Sequence, residues 1–82
     1  MDKQKIIVLG SGLVGGPMAR DLAGEFDVSL ADINPIALRR AAGGFEIHTI
    51  EADLSQENIV RQLIKDKDLV INAVPGHMGF TT

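Results

Sequence analysis

The sequence predicts an α/β fold in which a parallel β-sheet carries helices on both of its faces. Short runs of consecutive apolar residues, such as residues 6–9 and 69–71, are typical of strands buried on both sides. Segments with apolar residues at helical spacing separate these runs, so strands and helices alternate along the chain. We therefore predict four strands and three helices in the strand order 3-2-1-4, truncated after the fourth strand. Right-handed crossovers would place the first two helices on one face and the third helix on the other.

The first strand, at residues 6–9, leads directly into a glycine-rich turn. Gly10, Gly12 and Gly15 follow the spacing G-x-G-x-x-G, and a helical pattern begins within the motif. Gly10 allows the tight turn, Gly12 leaves room for a pyrophosphate, and Gly15 lets the helix pack close to the strand. The spacing alone is also compatible with a purely structural turn. An acidic residue, Asp32, ends the next apolar run about twenty residues on, and this context indicates a Rossmann-like, dinucleotide-binding fold.

Local signals place the next two elements. Gly24 is a plausible end for the first helix, and the second strand is expected at residues 27–31, closing at Asp32. Asn34 is a favoured N-cap and Pro35 suits the first helical position, which predicts a second helix over residues 35–42. Gly43 and Gly44 should end it.

The remaining elements are predicted from residue 45 onward. Residues 45–50 alternate apolar and polar side chains, which is typical of a strand at the sheet edge. Ser55 is expected to cap a third helix that reaches about residue 65. The run at residues 68–74 is almost entirely apolar and predicts a fourth strand that Pro75 and the glycine after it end.

The expected ligand site lies at the carboxyl ends of these strands. The Asp32 carboxylate can accept hydrogen bonds from the hydroxyls of an adenine ribose and would repel a 2′-phosphate, so we expect NAD rather than NADP as the cofactor. The other interpretation of Asp32 is a solvated turn residue beside Asn34. Asp53 either contacts the adenine amino group or only precedes a helix that favours acidic residues near its start. Ser11 is interpreted as a hydroxyl of the phosphate loop.

Composition narrows the class of protein. The 82 residues suit one small domain, shorter than a complete dinucleotide-binding domain, so we expect residues 1–82 to be the N-terminal part of a longer enzyme. A net charge of -3 and no basic cluster argue against nucleic-acid binding. There is no cysteine and no long apolar run, so we expect no membrane segment and a cytoplasmic location. His48 and His77 lie far apart in sequence, and no metal site is expected.

Several segments together resemble the amino-terminal cofactor domain of the saccharopine dehydrogenase and lysine dehydrogenase family. They read V-L-G-S-G-L-V-G-G-P-M-A-R-D-L at residues 8–22, A-D-I-N-P at 31–35, E-A-D-L at 51–54 and L-V-I-N-A-V-P-G at 69–76. The resemblance implies an NAD(P)-dependent oxidoreductase that acts on an amino acid such as lysine or saccharopine, with a second, substrate-binding domain. It places the three motif glycines at the pyrophosphate, Asp32 at the ribose, Asp53 and Leu54 near the adenine, and residues 73–76 beside the nicotinamide. The candidate cofactor-binding residues are Gly10, Ser11, Gly12, Leu13, Val14, Gly15, Asp32, Ile33, Asp53, Leu54, Ala73, Val74 and Pro75.

Two other functions share parts of this pattern. A regulatory nucleotide-sensing module, as on potassium-transport proteins, also has the glycine motif and an acidic residue after the second strand. A methyltransferase has a related glycine loop, but the third glycine and the Asn34-Pro35 helix start favour NAD. The apolar fourth strand would form an unprotected sheet edge, which predicts self-association through that strand.

Overall fold

The computed structural model describes residues 3–12 and 15–73 and has the predicted architecture. The strands are β1 (Lys5–Leu9), β2 (Asp27–Asp32), β3 (Ile47–Glu51) and β4 (Leu69–Asn72). The helices are α1 (Gly15–Leu22), α2 (Pro35–Ala42) and α3 (Glu57–Ile64). All strand pairs are parallel and the order is β3-β2-β1-β4, which confirms the predicted Rossmann-like sheet.

β1 lies at the centre of the sheet because its apolar run can be covered on both faces. Ile7 and Val8 are fully buried and, as neighbours in a strand, point to opposite faces. On the face of Val8, α1 and α2 pack through Ala19 and Leu38. On the face of Ile7, Leu54 and the apolar side of α3 form the second core. The predicted distribution of helices, two on one face and one on the other, is confirmed.

The local signals for α2 are correct at both ends. Asn34 is the N-cap, and its side-chain oxygen accepts hydrogen bonds from the N–H groups of Ile36 at 3.0 Å and Ala37 at 3.2 Å. Gly43 follows the helix in the left-handed conformation, with φ 41°, and its N–H bonds to the carbonyl oxygen of Arg39. Side-chain capping and a glycine end thus define the helix locally.

Three expected boundaries are wrong. β3 begins at Ile47 rather than at residue 45, because the Phe45 N–H bonds to the Ala42 carbonyl at 2.7 Å in the turn after α2. Gln56, and not Ser55, is the N-cap of α3, since the Ser55 hydroxyl donates to Asp53 at 2.6 Å instead. Gly24 does not adopt the left-handed conformation of a helix end.

β4 is shorter than expected and lies at one edge of the sheet. It pairs with β1, and Leu69 and Val70 are 52% and 38% exposed. Within residues 3–12 and 15–73, no helix is long and apolar enough to cross a membrane.

Candidate functional site

The glycine turn joins the carboxyl ends of the two central strands. Gly10 has a φ of 97°, a conformation that residues with a Cβ rarely adopt. Its N–H donates to the carbonyl oxygen of Ala31 at 2.7 Å, so the turn after β1 is held against the end of β2. The predicted use of Gly10 for the tight turn agrees with this geometry.

α1 lies so close to the turn that only glycine fits at its start. A Cβ on Gly15 would lie 1.7 Å from the carbonyl oxygen of Gly10, far inside any real contact. A Cβ on Gly16 would lie 3.1 Å from the backbone carbonyl oxygen of Ser11 and 3.2 Å from the Ala41 Cβ. Gly15 therefore sets the distance from helix to strand, and Gly16 sets the distance between α1 and α2.

Gly12 is in a different environment. A Cβ placed there would meet nothing within 4 Å, and the residue is exposed. The absence of a side chain at this position is not required by packing among the described residues. It leaves a free approach to the backbone of the turn, which is what a pyrophosphate needs. The backbone around Gly12 therefore has room for the dinucleotide pyrophosphate that the sequence predicts.

Asp32 lies beside this turn and is held by it. One carboxylate oxygen, Oδ2, accepts hydrogen bonds from the Ser11 N–H at 2.8 Å and the Ser11 hydroxyl at 2.7 Å. The other oxygen, Oδ1, accepts from the Asn34 N–H at 3.0 Å. Partial burial by itself raises the pKa of Asp32, but these hydrogen bonds outweigh it and hold the pKa below its ordinary value. The carboxylate is therefore ionised at neutral pH.

The loop after β3 reaches the same rim. The Ala52 N–H donates to the Asp32 carbonyl oxygen at 2.9 Å, which brings the candidate residues Asp53 and Leu54 near the end of β2. Ser55, through its hydroxyl and N–H, lowers the pKa of Asp53. Leu54 is buried in the core between the sheet and α3. Ile33, by contrast, is 57% exposed.

Ala73 is the candidate residue that follows β4. Its N–H donates to the Leu9 carbonyl oxygen at 2.8 Å, and its Cβ lies 3.2 Å from where a Cβ on Gly15 would be. The end of β4 is therefore adjacent to the glycine turn, as the strand order requires. The candidates Leu13, Val14, Val74 and Pro75 lie outside the described residues, as does His77.

A cleft between α1 and α2 opens next to the turn, and sequence reasoning assigned it no role. It has a volume of about 400 Å³, and its lining residues include Ser11, Gly12, Gly16, Arg20, Ala37 and Arg40. The Arg20 guanidinium donates from Nη1 to the Ala41 carbonyl oxygen at 3.0 Å. The four-residue spacing of Gly12, Gly16 and Arg20 was a usable signal, since it places Gly16 and Arg20 on one face of α1.

His48 lies on β3, and its imidazole Nε2 is 3.2 Å from Asp27 near the amino ends of the strands. This position is at the opposite end of the sheet from the glycine turn. Within the part of the chain that the structure describes, no group of three or more His, Cys, Asp or Glu residues could hold a metal ion.

Comparison with known proteins identifies the family and supports the fold. The family model described as the saccharopine dehydrogenase NADP binding domain matches residues 6–81. Among solved structures, an apo saccharopine dehydrogenase (L-Glu forming) from Saccharomyces cerevisiae aligns with a TM-score of 0.72 at 23% identity. That alignment covers 92% of this chain and 17% of the yeast protein, and it supports the fold. A diketoreductase structure aligns with a TM-score of 0.63 at 30% identity, over 92% of this chain and 33% of that one.

Two curated relatives are similar in sequence. The mitochondrial alpha-aminoadipic semialdehyde synthase of Rattus norvegicus is 29% identical over 76 residues, which cover 89% of this chain and 8% of the rat protein. The Trk system potassium uptake protein TrkA of Vibrio alginolyticus is 30% identical over 69 residues, covering 82% of this chain and 15% of TrkA. The chain thus spans less than a fifth of the length of either relative.

Proposed function

Since the chain belongs to the saccharopine dehydrogenase NADP-binding domain family, we propose that it binds a nicotinamide dinucleotide for an oxidoreductase that acts on an amino acid. Dinucleotide binding is the shared property of the family and of the Rossmann-like fold. The substrate class, an amino acid with an oxidisable C–N bond, rests on the resemblance alone.

The observation that carries the proposal is the contrast between the motif glycines. Gly10 and Gly15 are required by the fold, whereas a side chain at Gly12 would have open space around it. Glycine at that position is therefore explained by a ligand that approaches the backbone. Ser11, between Gly10 and Gly12, also carries the two hydrogen bonds that orient Asp32, so the phosphate and ribose positions are adjacent.

The finer part of the proposal is a preference for NAD over NADP. Asp32 is ionised at the carboxyl end of β2, and a carboxylate in this position can accept a ribose hydroxyl. A 2′-phosphate at the same place would meet a like charge at short range. No arginine directly follows Asp32, since the next residues are Ile33, Asn34 and Pro35.

When bound, the nicotinamide ring supplies the hydride acceptor or donor of the reaction. The residues of this chain bind and orient the adenosine and pyrophosphate parts of the dinucleotide. Asp53 is proposed to contact the adenine, and residues 73–75 the nicotinamide side. A substrate-binding domain elsewhere in the protein would supply the catalytic groups, so we propose no turnover by these residues alone.

Three further proposals follow from composition and from the sheet edge. Residues 1–82 are proposed to be one dinucleotide-binding domain at the start of a longer enzyme. The absence of cysteine favours a cytoplasmic location. Cell fractionation would test this location, and recovery of the protein with a membrane or organelle fraction would contradict it. Self-association through β4 is supported by the exposure of Leu69 and Val70.

A regulatory nucleotide sensor is the second candidate, and the similarity to TrkA is the observation in its favour. The family match favours the oxidoreductase. The sequence that follows Thr82 in the complete protein discriminates the two. A long continuation with further strands and a substrate-binding domain supports the oxidoreductase, whereas a transport-associated regulatory protein supports the sensor.

Calorimetric titration of the chain with NAD, NADP and ADP-ribose tests the proposal. We expect NAD to bind more tightly than NADP, and ADP-ribose to bind within about tenfold of NAD, since adenosine and pyrophosphate supply most contacts. Asp32→Asn should reduce the preference for NAD. Equal or reversed affinity for the two dinucleotides in the unmodified chain would contradict the role of Asp32.

A further inference from the structure

A second cavity, the amino-end pocket, lies where the first three strands begin. Its volume is about 470 Å³, within the range of about 300 to 1,000 Å³ that small-molecule sites occupy. Its polar lining residues are Lys3, Lys5, Asp27, Glu46 and His48. β1 is five residues long, so about 16 Å of strand separates this pocket from the glycine turn.

Charged residues of both signs meet in register at this end of the sheet. Lys5 and Asp27 are partners in the pairing of β1 with β2. The pairing of β2 with β3 extends to place Glu46 beside Asp27, one residue before β3 begins. Residues in register project from the same face of a sheet, so these three share one surface. Asp27 is already engaged, because its Oδ1 atom lies 3.2 Å from Nε2 of His48.

Three of the charged lining residues have no close partner. Within residues 3–12 and 15–73, the side chains of Lys3, Lys5 and Glu46 form no hydrogen bond and no ion pair. The charge of Lys5 acts weakly on Asp66, whose lowered pKa is due first to the hydrogen bond from Lys67. Two ammonium groups and one carboxylate are therefore available to a ligand.

The lining also has an apolar part. Ala23, which is buried, and Phe26, which is half-buried, line the pocket from the segment between α1 and β2. A ligand that fits the whole lining carries a carboxylate, an ammonium group and an apolar group. A simple anion would meet the two carboxylates of the pocket, and a simple cation would meet its two lysines, so each is disfavoured by like charge.

We propose that the amino-end pocket binds a free α-amino acid with an apolar side chain. The α-carboxylate lies toward Lys3 and Lys5, and the α-ammonium group lies toward Glu46. Two strand spacings, about 10 Å, separate the backbones of Lys5 and Glu46, which leaves room for one amino acid between their charged ends. This binding needs no dinucleotide, so the pocket is a second ligand site of the domain.

Three ligands with the same branched carbon chain test the proposal. They are L-leucine, isocaproate, which lacks the ammonium group, and isopentylamine, which lacks the carboxylate. Titrations followed by amide NMR measure both the affinity and the place of binding. We expect saturable shifts at the pocket with L-leucine and a dissociation constant in the millimolar range, because the charged lining residues Lys3, Lys5 and Glu46 are exposed. Either single-charge ligand should bind at least about fivefold more weakly.

Glu46→Gln removes only the carboxylate that is proposed to hold the ammonium group. We expect it to weaken L-leucine binding by about fivefold and not to weaken isocaproate binding. Glu51→Gln is the matched control, since Glu51 is an exposed carboxylate on β3 that does not line the pocket. It should change L-leucine affinity by less than about twofold. Equal thermal unfolding midpoints of the three proteins exclude a folding effect.

The outcomes separate this pocket from the dinucleotide site. The inference is overturned by the absence of saturable L-leucine shifts at the pocket, by a single-charge ligand that binds as tightly as L-leucine, or by equal effects of the two variants. A chain that binds L-leucine at the pocket but does not bind NAD would contradict the proposed function and leave the inference standing. Binding of NAD without binding of L-leucine would overturn the inference alone.

Discussion

Ser11 donates both its N–H and its hydroxyl to the same oxygen of Asp32, at 2.8 Å and 2.7 Å. The glycine turn after β1 and the acidic end of β2 are therefore one hydrogen-bonded unit. The part of the turn that faces the phosphate and the carboxylate that faces the ribose cannot move independently. This coupling orients the carboxylate before any ligand arrives, which reduces the ordering cost of binding.

Ser11→Ala should remove one of the two hydrogen bonds that Ser11 donates to Asp32. The variant loses the hydroxyl bond and keeps the N–H bond, so we expect about 1 to 2 kcal/mol lower stability and an upward change in the pKa of Asp32. Urea unfolding and a carboxyl NMR titration measure the two effects. Ser55→Ala is the control, because its hydroxyl makes the same kind of bond to Asp53 in an exposed position. Equal losses of stability in the two variants would contradict a special role for the Ser11 bond.

Gly15→Ala should destabilise the fold and not only the site. Its Cβ would lie 1.7 Å from a backbone oxygen of Gly10, so α1 would have to move away from β1. We expect a loss of about 3 kcal/mol or more, measured by urea unfolding. Gly24→Ala is the control, since a Cβ there meets nothing within 4 Å and the backbone is not left-handed. It should be neutral or slightly stabilising. A folded Gly15→Ala chain of unchanged stability would mean that the helix is not held at this distance.

Acidification should remove the stabilising contribution of Asp32. Its pKa is lower in the folded chain than in the unfolded chain, so the unfolded chain binds the proton first and stability falls as pH falls. The contribution is fully present above about pH 4 and is lost as pH falls through the folded pKa. Asp53 and Asp66 also have lowered pKa values, so the measurement is the difference in unfolding free energy between the unmodified chain and Asp32→Asn. This difference should narrow below about pH 4. A difference that is constant with pH would show that Asp32 does not titrate as inferred.

Val70→Lys should weaken any self-association of the chain. Val70 is 38% exposed on β4, and a charge in that strand disfavours pairing with a second edge. Sedimentation over a concentration series measures the effect. Thr49→Lys places the same charge on β3 at the other edge of the sheet and should change the mass little. A monomeric unmodified chain at high micromolar concentration would contradict association through β4.

Local sequence signals predicted those features that local chemistry determines. The central position of β1 followed from its apolar run, and the strand order followed from the predicted fold class. Asn34, Pro35 and Gly43 defined α2 at both ends. The predicted start of β3 and the predicted N-cap of α3 were wrong, because hydrogen bonds outside these elements occupy the residues concerned. Phe45 is bonded into the turn after α2, and the Ser55 hydroxyl is bonded to Asp53.

The cleft as a whole could not be predicted in the same way, because sequence spacing places only Gly16 and Arg20 on one face of α1. Arg20 and Arg40 are twenty residues apart in sequence and belong to different helices, and they line one cavity only because α1 and α2 pack together at Gly16. The same holds for the double hydrogen bond from Ser11 to Asp32, which depends on the pairing of β1 with β2. Motif spacing identified Ser11 and Asp32 but not the contact between them.

The most direct test of the central claim is calorimetric titration of the unmodified chain and of Gly12→Val with NAD. A Cβ at Gly12 meets no described atom within 4 Å, so the valine variant should fold with an unchanged unfolding midpoint while its side chain blocks the approach to the turn. We predict saturable binding of NAD to the unmodified chain and a loss of at least about tenfold in affinity in the variant. Equal NAD affinity of the two folded proteins would show that the dinucleotide does not bind at the glycine turn.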